Sequence, residues 1–173
     1  MPLPRRSNAA VPRAAGFAPA MVALAIGLAA GTATTARADT PPPGCTGQAS
    51  NTWIDVVVEG VRSGNGLVAI TLYADNSKKF LVKHGSMYVG RVDAQAGSTR
   101  GCIFVPKPGV YAIAIYHDEN GNEGFDRSKF GLPVEAYGFS NNPSTLAGLP
   151  TFKSVRLNIP RSGLVTRVRL TYP

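Results

Sequence analysis

TWIDVVVEGVRSGNGLVAITLY, residues 52–73, alternates apolar and polar side chains: Ile54, Val56 and Val58 fall to one side, Asp55 and Glu59 to the other. Successive side chains of a strand point to opposite faces, so a period of two predicts a half-buried strand over residues 52–60. Asn65-Gly66 then supplies the pair that a tight hairpin turn favours, and residues 67–73 are the expected partner strand. Weaker strand patterns follow at 87–92 and 99–105. The turn cluster Pro106-Lys107-Pro108-Gly109 launches another strand at 110–116. Two more, at 154–159 and 164–172, are joined by Pro160-Arg161-Ser162-Gly163. Short strands with turn chemistry between them, and no sustained helical periodicity, predict an all-β domain. The expected form is an antiparallel β-sandwich of about seven strands, or a small barrel, with one long ordered loop.

In the last strand Leu164, Thr166, Val168, Leu170 and Tyr172 share one face, which assigns Arg167 and Arg169 to solvent. With Arg156 they form a candidate stripe for an acidic ligand or a lipid head group. Charges on a sheet face are more commonly a plain solvated surface. Trp53 reads as a core or sheet-edge aromatic rather than a sugar platform.

Upstream of the strands, Arg5, Arg6 and Arg13 form a basic n-region without acids, residues 21–30 are an apolar run, and Ala36-Arg37-Ala38 is a small-x-small cleavage site. This is the pattern of a secretory signal peptide over residues 1–38. The run is about half the ~20 apolar residues that a membrane span needs. The expected organisation is a signal peptide at 1–38, a Pro-rich leader at 39–50 and a β-sandwich domain at 51–173, in a periplasmic or secreted protein. The net charge of +8 falls to +4 without residues 1–38, which hold four arginines and no acid. The remaining charges are dispersed, which argues against nucleic acid as a partner. Cys45 and Cys102 are the only cysteines, and an even count in an oxidising compartment favours a disulfide between them.

Residues 116–142, YHDENGNEGFDRSKFGLPVEAYGFSNN, lie in a connection of about thirty-five residues, where compact domains seldom exceed ~12–15. Phe125, Phe130, Leu132, Tyr137, Phe139 and Leu146 give it material to pack, so an ordered excursion over one end of the domain is expected. Asp118, Asn120, Asn122 and Asp126 occupy positions one, three, five and nine, the spacing at which calcium loops present oxygens to a hard cation. Calcium is therefore the candidate ion, with no other cofactor expected. The position that carries a bidentate glutamate in an EF-hand is Lys129 here. An Asx-rich turn bonding to its own backbone accounts for the same residues without metal.

The motifs G-x-Y-A-I-A-I at 109–115, Y-H-D-E-N-G-N at 116–122, Asp126, F-G-x-P at 130–133 and Y-G-F-S-N-N at 137–142 resemble the bacterial secreted family called domain of unknown function 2141. The resemblance spans residues 53–172. It implies export, a sandwich of the transthyretin or carboxypeptidase-regulatory type and no assigned activity; the strand pattern equally admits an immunoglobulin-like sandwich. Family loops place glycine after the second asparagine, where this chain has Glu123 and delays glycine to Gly124.

Function classes are narrowed rather than decided. His117 beside Asp118, with Ser140 nearby, formally offers a base, an orienting group and a nucleophile, the ground for a hydrolase-like alternative using His117 and the loop carboxylates. Nothing resembles a nucleophile elbow. With only His84 and His117, a zinc site is poorly supplied. The favoured class is a non-catalytic binding or envelope-associated structural module, its ligand platform formed by His117, Tyr137, Phe139, Asn141 and Asn142. An envelope protein, a glycan or a small ligand is the expected partner.

Overall fold

The computed structural model describes residues 40–145 and 148–173. The signal-peptide reading and Leu146 lie outside these residues. Two sheets face each other. The three-stranded sheet has the order β4-β1-β8, with β1 (Trp53–Val61), β4 (Gly97–Phe104) and β8 (Leu164–Arg169). The five-stranded sheet runs β3-β2-β5-β6, with β2 (Leu67–Ala74), β3 (Tyr88–Asp93), β5 (Gly109–Asp118) and β6 (Ala136–Phe139), and β7 (Arg156–Ile159) also pairs with β5. The expected all-β sandwich is present, with eight strands rather than seven. A four-residue helix, α1 (Phe152–Val155), precedes β7. No described helix is long and apolar enough to cross a membrane.

Two expectations are corrected. Asn65-Gly66 does not close a hairpin: β1 pairs with β4 and β8, whereas β2 pairs with β3 and β5, so the turn carries the chain from one sheet to the other. The dipeptide specifies a tight reversal; whether the flanking strands share a sheet depends on which partners cover their apolar faces. Gly66 has φ of 66°, and a Cβ there would sit 1.9 Å from the Asp118 carbonyl oxygen. The glycine is thus demanded by long-range packing as well as by the turn. The pairing is also mixed rather than wholly antiparallel, because β1 and β8 run parallel.

Alternation builds the core as the sequence predicts. Ile54, Val56 and Val58 of β1, Ile103 of β4 and Val168 of β8 meet Val68, Ile70 and Leu72 of β2 and Ile113 and Ile115 of β5, all nearly or fully buried. Each such side chain is worth about 1.5–3 kcal/mol of burial. Val165, Arg167 and Arg169 stand outside on the exposed face of β8. Trp53 is buried, as a core aromatic. The five-stranded sheet is covered on its outer face too, where Tyr73, Phe80, Ala112, Ala114, Phe139 and Val155 form a second cluster. A disulfide joins Cys45 to Cys102, and Thr46 exchanges backbone hydrogen bonds with Cys102 and Phe104, fastening the leader to β4.

Candidate functional site

At the end of β5 the side chains divide. Tyr116 and Asp118 point to the outer face of the five-stranded sheet, and His117 points inward. His117 is fully buried, with Nε2 3.0 Å from the Asn65 carbonyl and Nδ1 3.1 Å from the Tyr172 hydroxyl. A carbonyl only accepts, so Nε2 carries the proton and Nδ1 accepts from Tyr172. Both nitrogens are committed to holding the chain end against the β1–β2 crossing. His117 therefore lies apart from Tyr137 and Phe139 and offers no open nitrogen for base catalysis. Ser140 is also fully buried, its hydroxyl bonded to the Val155 carbonyl. The hydrolase-like alternative thus has no accessible base or nucleophile among these residues.

The calcium-spaced residues do converge. Asp118 is buried and caps the loop, its Oδ1 accepting from Asn122 N–H at 3.1 Å and its Oδ2 from Glu123 N–H at 2.7 Å. Asn120 Oδ1 accepts from Asn122 N–H, and Asn122 Oδ1 from Gly124 N–H. The amide groups of both asparagines donate to the Asp126 carboxylate at 2.8–3.1 Å. This is an Asx network in which the four side chains satisfy one another and the backbone. Among the described residues no three or more His, Cys, Asp and Glu side chains are gathered so as to hold a metal.

One group disturbs this balance. Glu135 lies immediately before β6, one residue beyond the His117–Ala136 pair that ends the β5–β6 register. It is 8% exposed, its Oε2 accepts from Asp126 N–H at 3.0 Å, and its Oε1 is buried without a partner. Burial pushes the Glu135 carboxyl above the usual glutamate range. The charges of Asp118, Asp126 and Glu119 act in the same direction, against the Asp126 N–H bond. Glu119 behaves oppositely: Arg62 binds it through two nitrogens, Ser63 adds a hydrogen bond, and its carboxyl is held at about 2. Glu123 has φ of 63°, a left-handed conformation that glycine adopts without strain.

Beside this loop, the outer face of the five-stranded sheet is a groove of about 950 Å³. Its floor is made by Tyr73, Ala114, Tyr116, Phe125, Tyr137 and Phe139, and its far wall by the β2–β3 connection at Leu81, Val82 and Lys83. Tyr116, Phe125, Tyr137 and Phe139 form a chain of ring contacts with centroids 5.4–6.3 Å apart. The expected platform is therefore split. Tyr137 and Phe139 line the groove, whereas Asn141 and Asn142 are structural clips: Asn141 donates to the Arg156 carbonyl, and Asn142 bonds the Arg167 carbonyl and Arg169 N–H of β8. Phe130 and Leu132, expected to pack, are exposed on a small arm closed by the Arg127–Pro133 bridge. The arginine stripe is engaged, Arg156 with Asp75 and Arg167 and Arg169 with Glu59.

Residue spacing missed Arg91, Arg127, Tyr116 and Glu135. Tyr116 was legible from alternation, since it precedes His117 by one residue and so takes the other face; Arg91 and Glu135 needed the strand pairing. No curated protein and no solved structure matches the chain. The family model described as an uncharacterized protein conserved in bacteria (DUF2141) matches residues 56–166, which run from within β1 to the first half of β8 and include the whole of the loop and groove. On that match, together with the motifs of residues 109–142, the chain belongs to the domain of unknown function 2141 family.

Proposed function

We propose that this protein is an exported, non-catalytic binding module that holds a small ligand in the groove on its five-stranded sheet. The observation that carries this reading is the groove itself. Ligand sites are typically concave, largely apolar and of 300–1,000 Å³, with a few polar groups at the edge. This one has an aromatic floor on rigid strands and charged side chains at its rim. The signal-peptide pattern and the Cys45–Cys102 disulfide support export. A thermal-shift screen of small amphipathic compounds tests the binding role. The expected result is a saturable hit that Tyr137→Ala removes; a screen without hits that respond to groove substitutions refutes it.

A second reading concerns the loop. In a calcium-bound form Asp118, Asn120, Asn122 and Asp126 would draw in around the ion, with Glu135 in place of the carboxylate that Lys129 does not supply, since among the described residues these carboxylates are not gathered in a metal-holding arrangement. The buried Glu135 Oε1, without a partner among the described residues and subject to the charges of Asp118 and Asp126, favours this reading, since like charges gathered out of water are destabilising unless compensated. The asparagine amides would then turn their oxygens inward, because a hard cation takes six to eight oxygens at about 2.3–2.6 Å. A calcium-specific rise in melting temperature over chelator, absent with Asp118→Ala, is the expected outcome. No rise at millimolar calcium would sink the metal reading while leaving the Asx loop intact.

A further inference from the structure

We infer that the ligand of the groove is an anionic amphiphile, an elongated apolar chain ending in a carboxylate that Arg91 and Arg127 receive. The inference rests on the binding role proposed above and assigns its ligand class. Charge sets the head group: among the described residues the permanently charged side chains lining the groove are Lys83, Arg91 and Arg127 against the single carboxylate of Glu123. An anionic group is thus complementary to the rim, and a cationic one is opposed by it.

The two arginines have donors to spare. Arg91 gives Nη2 to the Glu123 carbonyl at 2.9 Å, and its Nε is buried without a partner, 3.9 Å from the Glu123 carboxylate. Arg127 gives Nη1 to the Gly131 carbonyl and lies 4.9 Å over the Phe125 ring. A guanidinium carries five N–H donors in a planar fork suited to a carboxylate; the buried Arg91 Nε is out of a ligand's reach, but each side chain keeps Nη donors outside these bonds. Arg91 lies in the same cross-strand row as Ala69 and Tyr116, and its contact with Glu123 places it at the loop end of the groove.

The chain follows from the floor. From the Tyr116 row to the Ala112 row the sheet advances four residues, or ~13 Å at about 3.3 Å per residue. Over that distance the outer face presents aromatic rings, Ala114 and Thr71, and the far wall adds Leu81 and Val82, which are 37% and 49% exposed. An apolar track with cations at its end suits an acyl chain. A glycan would need far more hydrogen-bonding side chains than this floor presents.

Displacement of a fluorescent polyene fatty acid from the purified chain by dodecanoate and by methyl dodecanoate tests the assignment. The acid is expected to compete about tenfold better than the ester, the equivalent of ~1.4 kcal/mol for one charge-assisted contact. Arg127→Gln, an exposed substitution that leaves folding intact, and Arg91→Gln should each reduce that preference without weakening the ester. Ala114→Trp, which fills the floor, should abolish binding of both in a variant whose circular dichroism is unchanged. Equal competition by acid and ester overturns the anionic assignment but leaves a binding groove. Failure of the probe and of both competitors to bind overturns the assignment together with the groove reading, and binding that survives Ala114→Trp puts the site elsewhere and overturns the assignment.

Discussion

Replacing Glu135 by glutamine should stabilise the protein in chelator and remove its response to calcium. The Glu135 carboxylate is buried, is acted on by the charges of Asp118 and Asp126, and leaves Oε1 without a partner among the described residues. A buried polar group left unsatisfied costs about 1–3 kcal/mol. Glutamine keeps an acceptor for Asp126 N–H, removes one negative charge, and offers two donors to a neighbourhood of carboxylates. A gain of about 1–2 kcal/mol at pH 7 is expected, or ~4–8 °C in melting temperature for a domain of this size. The pH dependence carries a defined sign. Because the folded-state pKa of Glu135 is raised, the proton it binds stabilises the fold below the unfolded value near 4.5, and that contribution is lost as pH rises through the higher folded value. The advantage of Glu135→Gln over wild type should therefore shrink toward acid pH in chelator. Differential scanning calorimetry of both proteins at pH 4 and pH 7, with and without calcium, reads each term. A variant less stable than wild type at pH 7 in chelator would refute the reasoning, since it would mean that the carboxylate is favourably held without an ion.

Other substitutions probe the frame around the site. Glu123→Gly relieves a left-handed residue at a cost in unfolded-state entropy, and a net gain of about 0.5–1 kcal/mol in urea melts is expected. Gly66→Ala must fit a Cβ 1.9 Å from the Asp118 carbonyl oxygen at φ of 66°, so a loss of at least ~3 kcal/mol, with the loop's amide protection collapsing first in hydrogen exchange, is expected. Reducing the Cys45–Cys102 disulfide, with its sequence separation of 57, should lower stability by ~4 kcal/mol in the chain-entropy view. Glu119, held at about 2 by Arg62, contributes stability above pH 4.5 that is lost as pH falls toward 2. The pair is largely solvated, so Arg62→Ala should weaken that acid sensitivity only slightly in pH-dependent melts.

The sequence by itself determined the strands and their buried faces, because a period of two is a local property: Ile54, Val56 and Val58, or Thr166 and Val168, announce a core face wherever their partners lie. It also determined the disulfide, there being two cysteines to pair, and the Asx chemistry of Asp118, Asn120, Asn122 and Asp126, whose bonds stay within a few residues. Tertiary structure decided everything that depends on which strand lies beside which. Asn65-Gly66 became a crossing between sheets, β6 emerged inside the long loop by pairing with β5, and His117 turned inward to Tyr172, fifty-five residues away in sequence. Strand pairing also brought Arg91 of β3 to the rim formed by Glu123 and Arg127. Local spacing specifies which way a side chain points along its own strand, but a groove is made of side chains from several strands, and their register is decided by the packing of the two sheets as a whole.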